Sequence, residues 1–296
     1  MRRLLTGCFV TLLLLLNTLI LIGPLLVFAL LKLVLPFKPA RRVFDAAIMG
    51  IGEAWIGVNQ WWMDMVGHTR WQLSGHEGHR RKGWYLVSSN HQSWVDILVL
   101  QKVFNRRIPL LRFFLKRQLF WVPLLGLAWW ALDFPFMGRY TPKQVARRPE
   151  LAGRDIAATR RACEKFRAIP VAIMNFVEGT RITPVKHAKQ ASPYRHLLKP
   201  KSGGVAFVLD AMGDGLHAIL DVSIAYPAGA PSLMDLLANR IPEVRVHVRQ
   251  RPIPEEMLRG DYQNDRAFRA QFQQWMNGLW REKDEDLERL LHRPLA

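Results

Sequence analysis

The stretch Asn90-His91-Gln92-Ser93-Trp94-Val95-Asp96 sets a histidine five positions before a carboxylate, directly after a short apolar run that ends at Ser88-Ser89. If His91 sits on a turn and Asp96 in the first turn of a following helix, the carboxylate reaches back to the ring. There it accepts the Nδ1 proton, fixes the tautomer and leaves Nε2 as a base. An isolated pair at this spacing also fits a satisfied buried histidine beside a helix-end carboxylate, so the reading needs a second feature.

Phe176-Val177-Glu178-Gly179-Thr180-Arg181 supplies it. Gly179 lets the backbone turn so that Thr180 and Arg181 can face one anion, with the guanidinium gripping a phosphate through two bonds. Glu178 could hold Arg181 or a substrate hydroxyl; the plain structural alternative is a Glu178–Arg181 pair across a turn. The cluster His76-Glu77-Gly78-His79 lacks the H-E-x-x-H spacing that puts two ligands on one helical face, and no metal is expected there.

Groups of this kind need strand ends to carry them. β-branched and aromatic runs between Gly, Pro and polar punctuation predict strands over 71–74, 84–88, 171–176, 218–225 and 244–248. Helices are expected after His91, around Pro149, after Gly203 and near Pro231. In the C-terminal segment, Phe268, Phe272, Trp275 and Leu279 share one helical face suited to packing on a sheet. The alternation predicts an α/β fold, a central mixed sheet flanked by helices, in residues 67–296. Residues 1–66 precede it as a membrane anchor with interfacial helices.

Charge and hydropathy bear on the partner. With 42 Lys+Arg against 24 Asp+Glu, the formal charge of +18 calls for a polyanion, either nucleic acid or an anionic membrane face. No side chain from Leu4 to Leu31 is charged. That run exceeds the roughly 20 apolar residues that cross a bilayer core, which favours the membrane and not nucleic acid. Basic residues flank the run on both sides and do not orient it. Asn17 and Gly23-Pro24 leave open one tilted span or a re-entrant pair of half-helices. A cleavable signal peptide is disfavoured, since no convincing small-x-small site precedes Lys32. Residues 43–66, with Trp55, Trp61 and Trp62, suit an interfacial helix or a core helix. Cys8 and Cys163, the only cysteines, make a disulfide framework improbable and fit a reducing compartment.

Taken together, Asn90-His91-x-Ser-Trp-x-Asp96 and Phe176-Val-Glu-Gly-Thr-Arg181 resemble the N-H-x-S-x-x-D and F-P-E-G-T-R blocks of the glycerolipid acyltransferases typified by lysophosphatidate acyltransferase. The resemblance spans residues 71–227 and takes in Lys116-x-x-Leu119-x-x-x-Pro123-x-x-Gly126. Phe136-Met137-Gly138-Arg139 looks like the family's second block with its phosphate-contacting Arg, and the whole looks closest to a bacterial inner-membrane branch. Val177 stands where the third block often has Pro. The fourth block, usually an apolar run ending in Pro-Val or Pro-Ile, reads here as Ile219-Leu-Asp-Val-Ser-Ile-Ala-Tyr226-Pro227.

The resemblance implies acyl transfer from acyl-CoA or acyl-ACP, with no bound cofactor, to the hydroxyl of lysophosphatidic acid or of another lysophospholipid such as lysophosphatidylglycerol. His91 is then the base and Asp96 its aligning partner. Arg139, Glu178, Gly179, Thr180, Arg181 and Lys116 would bind the acceptor's phosphate and glycerol. Backbone N–H groups near the His91 turn are the expected oxyanion donors. The implied location is the bacterial inner membrane, with the catalytic domain facing the cytoplasm. A non-catalytic, basic, membrane-bound lipid-binding protein is the competing reading.

Overall fold

The structure, a computed structural model, describes residues 2–35, 37–138, 140, 142–148, 150, 153–167 and 169–292. In chain order its elements are α1 (Arg2–Val34), α2 (Lys38–Val66), β1 (Arg70–Ser74), β2 (Trp84–Ser89), α3 (Val95–Phe104), β3 (Leu111–Phe113), β4 (Leu115–Lys116), α4 (Leu125–Ala131), β5 (Phe136–Met137), α5 (Pro142–Arg147), α6 (Arg154–Arg167), β6 (Val171–Phe176), α7 (Pro184–Gln190), α8 (Gly203–Met212), β7 (Ala218–Ala225), α9 (Leu233–Leu237), β8 (Glu243–Arg251), α10 (Glu255–Leu258) and α11 (Arg266–His292). They fall into two compact units. One joins Met1–His68, Arg112–Ala158 and Leu237–Asn239; the other joins Thr69–Leu111, Thr159–Leu236 and Arg240–Ala296. Residues 112–158, which the sequence reading put within 67–296, therefore cluster with the N-terminal helices.

In the first unit α1 runs unbroken through Asn17 and Gly23-Pro24, so neither site splits it into half-helices. Its stretch Thr6–Val34 is long and apolar enough to cross a membrane. Its side-chain partners on α2 run in the opposite order, Asn17 to Asn59, Thr18 to Trp55 and Lys32 to Asp45, which makes the pair an antiparallel hairpin. Asn17, buried inside it, donates to Asn59 Oδ1 and to the Trp55 carbonyl, both at 3.0 Å. Of the three α2 indoles, Trp62 is buried and donates to Asn59, Trp55 donates to Thr18, and Trp61 is exposed. The helix thus carries both buried and exposed indoles.

Most of a six-stranded mixed sheet, in the order β1-β8-β7-β2-β6-β3, falls in the second unit. β2 lies parallel to both β6 and β7, β1 lies parallel to β8, and β7 and β8 are antiparallel. The inner strands read as near-continuous apolar runs because both faces are covered. Leu86, Val87, Ala172, Ile173, Leu220 and Val222 are fully buried. The five strands predicted from the sequence are present, β8 running on to Arg251.

Helix α11 buries Phe268, Phe272, Met276, Trp280, Leu287 and Leu290. This stripe diverges from the expected one after Phe272, leaving Trp275 and Leu279 half-buried. It also buries a charge. Lys283 Nζ lies 2.5 Å from Asp221 Oδ1 on β7 and donates to the Val222 carbonyl at 2.5 Å. Arg251 donates to the other Asp221 oxygen at 2.8 Å, so the buried carboxylate has two cationic partners.

Candidate active site

The site is assembled at the C-terminal ends of β2, β6 and β7, which the parallel register brings level. Beyond Ser89, the side chain of Asn90 imitates one more rung of the ladder. It donates to the Ile224 carbonyl and accepts from the Ile224 N–H, each at 2.9 Å. Gln92 Nε2 donates to the same carbonyl at 2.8 Å. The turn that carries His91 is therefore tied to the end of β7 before any catalytic group is considered.

His91 itself is fixed on three sides. Its N–H donates to Glu178 Oε1 at 2.9 Å and its carbonyl accepts from Ile182 N at 2.9 Å. The ring lies flat on Phe176, centroids 3.8 Å apart and planes 13° from parallel. Nδ1 donates to Asp96 Oδ2 at 2.9 Å. Nε2 makes no hydrogen bond among the described residues and keeps a lone pair able to accept a proton. The side chain is 13% exposed, enough for a reactant to reach it.

Asp96 is fully buried, a costly place for a carboxylate unless every lone pair is used. Oδ2 accepts from the N–H groups of Gln92 and Ser93, at 2.6 and 2.8 Å, as well as from His91. Oδ1 accepts from the Tyr226 hydroxyl at 2.7 Å. Ser93 closes the turn: its Oγ accepts from Val95 N at 3.0 Å and donates to the Pro231 carbonyl. The N–H groups of His91, Gln92, Ser93 and Val95 are all engaged in these bonds.

The second block forms the opposite wall. Gly179 has φ +70°, a left-handed conformation that a side chain would strain, and a Cβ there would also crowd Lys201. Glu178 does not hold Arg181. It is fully buried, one oxygen taking the His91 N–H and the other the Leu198 N–H at 3.0 Å. Burial pushes its carboxyl up to about 7, against the downward pull of the two backbone bonds and of Lys283. Beyond it, Arg181 is exposed with its guanidinium 4.9 Å from the Trp94 ring centre. Thr183 caps α7 by accepting from Lys186 N, and Lys186 folds back to donate to Thr180 Oγ1 at 2.7 Å and to the Arg181 carbonyl at 2.8 Å. A carboxylate-held imidazole and a two-cation turn are thus joined by the bonds of His91 to Glu178 and Ile182. Such a pairing can deprotonate a hydroxyl on a molecule whose anionic group is held alongside.

The model of the Acyltransferase family matches residues 70–227, more than half of the chain. This chain belongs to the glycerolipid acyltransferase family. Among its relatives is lysocardiolipin acyltransferase 1 of Danio rerio, 30% identical over 132 residues, which are 40% of this chain and 32% of the relative. Another is 1-acyl-sn-glycerol-3-phosphate acyltransferase gamma of Mus musculus, 27% identical over 180 residues, 57% of this chain and 43% of that one. The chain thus spans between about a third and about half of the length of the lysocardiolipin relatives it matches. The crystal structure of the 1-acyl-sn-glycerophosphate acyltransferase PlsC from Thermotoga maritima superposes with a TM-score of 0.55 over 97% of this chain and 98% of that one. At 16% identity that likeness shows a shared fold.

In this family member His91, Asp96, Glu178, Gly179, Thr180 and Arg181 come together in one unit. Lys116 lies in the other, on β4, paired with Met137 of β5. Arg139 lies outside the described residues. Among the described residues no three His, Cys, Asp or Glu side chains group to hold a metal ion, and His79 is engaged with Gln250 at 3.2 Å. Sequence reasoning missed Asn90 as a strand mimic, Phe176 as the bed of the imidazole, Lys186 as a second cation, and Tyr226. Only Lys186 carried a signal, its basic charge a few positions after Arg181. A phenylalanine and a tyrosine at strand ends read simply as core.

Proposed function

We propose that the chain is a lysophospholipid acyltransferase which moves an acyl group from acyl-CoA or acyl-ACP to the free hydroxyl of lysophosphatidic acid. One observation carries this reading: the Nε2 lone pair of His91 is open while Nδ1 is held by Asp96, beside a turn that presents Thr180, Arg181 and Lys186. The acceptor hydroxyl gives its proton to Nε2 as its oxygen attacks the thioester carbonyl carbon. The tetrahedral intermediate then expels the thiolate, which takes the proton back from Nε2. The products are a phospholipid with one more ester and a free thiol carrier. A positioned acid–base group of this kind contributes about 10²- to 10⁴-fold to the rate. The acceptor's phosphate sits on the Arg181 and Lys186 side of the turn, with Arg139 and Lys116 as further candidates for it.

The apolar α1 and the +18 charge support a location on an anionic membrane, which for this reading is the cytoplasmic face of a bacterial inner membrane. Lysophosphatidylglycerol and lysocardiolipin carry the same hydroxyl and phosphate chemistry and belong in the test. Purified chain is given labelled acyl-CoA or acyl-ACP with vesicles of each lysophospholipid, and the products are identified by mass. The expected result is diacylated product with release of free thiol, abolished by His91→Ala and by Asp96→Ala in folded protein. Transfer at wild-type rate in either variant would remove the assignment. Lipid binding without transfer in the native chain would leave a non-catalytic lipid binder instead.

A further inference from the structure

Tyr226 stands immediately after β7, in the one block whose sequence departs furthest from the family pattern. We propose that it is a positioning residue for acyl transfer: its phenol hydroxyl holds the Asp96 carboxylate in the orientation that keeps His91 as a base. The inference rests on the acyltransferase reading above.

The hydrogen bonds of Asp96 are unevenly shared. Oδ2 receives three donors, including the imidazole, whereas Oδ1 receives only the Tyr226 hydroxyl. Remove that hydroxyl and Oδ1 becomes a buried charged oxygen with no partner. The carboxylate can then recover a bond only by rotating away from the geometry that aims Oδ2 at Nδ1. Tyr226 is well placed to prevent this. It is 3% exposed, and its backbone is pinned two residues upstream, where Asn90 and Gln92 bond to Ile224. The turn bearing His91 therefore grips the end of β7 twice, by amides at residue 224 and by a carboxylate at residue 226. Burial, and the Asp96 charge after it, raise the phenol well above its ordinary value, so it remains a donor throughout the working pH range. Other titratable groups face the pair: His91 on the same turn and Glu178 from the β6 turn, with Lys283 from α11 acting on Glu178.

Two effects follow from losing the hydroxyl. The imidazole is less well aligned, which lowers kcat without touching the acceptor's binding groups. The Nδ1 bond that selects the His91 tautomer is also weakened, so the form that leaves Nε2 open is less strongly preferred.

The test uses Tyr226→Phe in the full chain, which keeps the ring and its packing, and 3-fluorotyrosine placed at 226, which keeps every contact and sharpens the donor. Steady-state rates are measured between pH 5.5 and 9, with thermal melts as a fold control. Nitrogen-15 NMR of labelled histidine reports the tautomer of His91. The phenylalanine variant should lose about 10- to 100-fold in kcat, with the acceptor KM within about twofold. The fluorinated protein, which keeps the hydroxyl, should stay near native kcat. The His91 Nδ1 signal should move in both. Unchanged kcat, or a change confined to KM, would overturn the proposal. Absence of transfer by the native chain counts against the acyltransferase reading alone. In that case the His91 spectrum still decides: identical spectra in native and phenylalanine proteins reject the role for Tyr226.

Discussion

The imidazole of His91 rests face to face on the ring of Phe176, with centroids 3.8 Å apart and planes 13° from parallel. A flat apolar bed fixes the ring plane, while the Asp96 bond fixes rotation within that plane. Phe176→Ala removes the first constraint and leaves the second. The expected outcome is a fall in kcat of about tenfold with little change in acceptor KM, because only the orientation of the base is lost. Steady-state kinetics on Phe176→Ala and Phe176→Tyr check it, the tyrosine variant staying near native rate.

Glu178 supplies a pH prediction. Its folded value of about 7 lies above the ordinary 4.5, so the folded state binds the proton more tightly than the unfolded chain does. Its stabilising contribution is complete below about 4.5 and is lost as pH rises through about 7. The native protein should therefore lose up to roughly 3 kcal/mol relative to Glu178→Gln between pH 4.5 and 8. Denaturant unfolding of both proteins at several pH values measures this. A stability difference that stays constant with pH would show that the carboxyl does not titrate in this range.

Arg181 and Lys186 share the Thr180 turn, yet only Lys186 is bonded into it. Arg181→Glu should raise the acceptor KM by about tenfold or more, from lost attraction plus repulsion of a phosphate. Lys186→Met should also lower kcat, since the turn that it braces carries the Ile182 N–H bonded to the His91 carbonyl. Comparing kcat with KM for the two variants separates binding from bracing.

Lys283 is a stability determinant distant in sequence from either block. Lys283→Met leaves the buried Asp221 carboxylate with Arg251 alone, and loss of one partner from a buried pair costs about 3–5 kcal/mol. The double variant Lys283→Met/Asp221→Leu should recover part of that loss. Chemical denaturation of the two variants is the check, and an unaltered midpoint in Lys283→Met would show that the pair contributes nothing net.

Much of this was readable in advance, for identifiable reasons. The strands at 84–89 and 171–176 announce themselves because a strand covered on both faces must be apolar throughout. His91 and Asp96 are legible because a five-residue step from a strand end to a helix start is a local geometry. Long-range partners are not encoded in periodicity. Nothing in residues 243–251 says that this strand lies antiparallel to β7 while parallel to β1. The partners of Glu178 were hidden for the same reason: they are two backbone N–H groups, one of them 87 positions away. Residues 112–158 follow the first block directly in sequence, yet their packing partners are the N-terminal helices.

The seating of β1 beside β8 orders events during synthesis. Arg70 pairs with Glu243, 173 positions later, so the first strand to leave the ribosome waits for nearly the whole chain before it finds its place. Until then the flank of β7 stands as an open edge able to recruit a neighbouring polypeptide. A nascent chain halted before residue 243 should consequently depend on chaperones and be prone to aggregation, even with both site-forming blocks already translated.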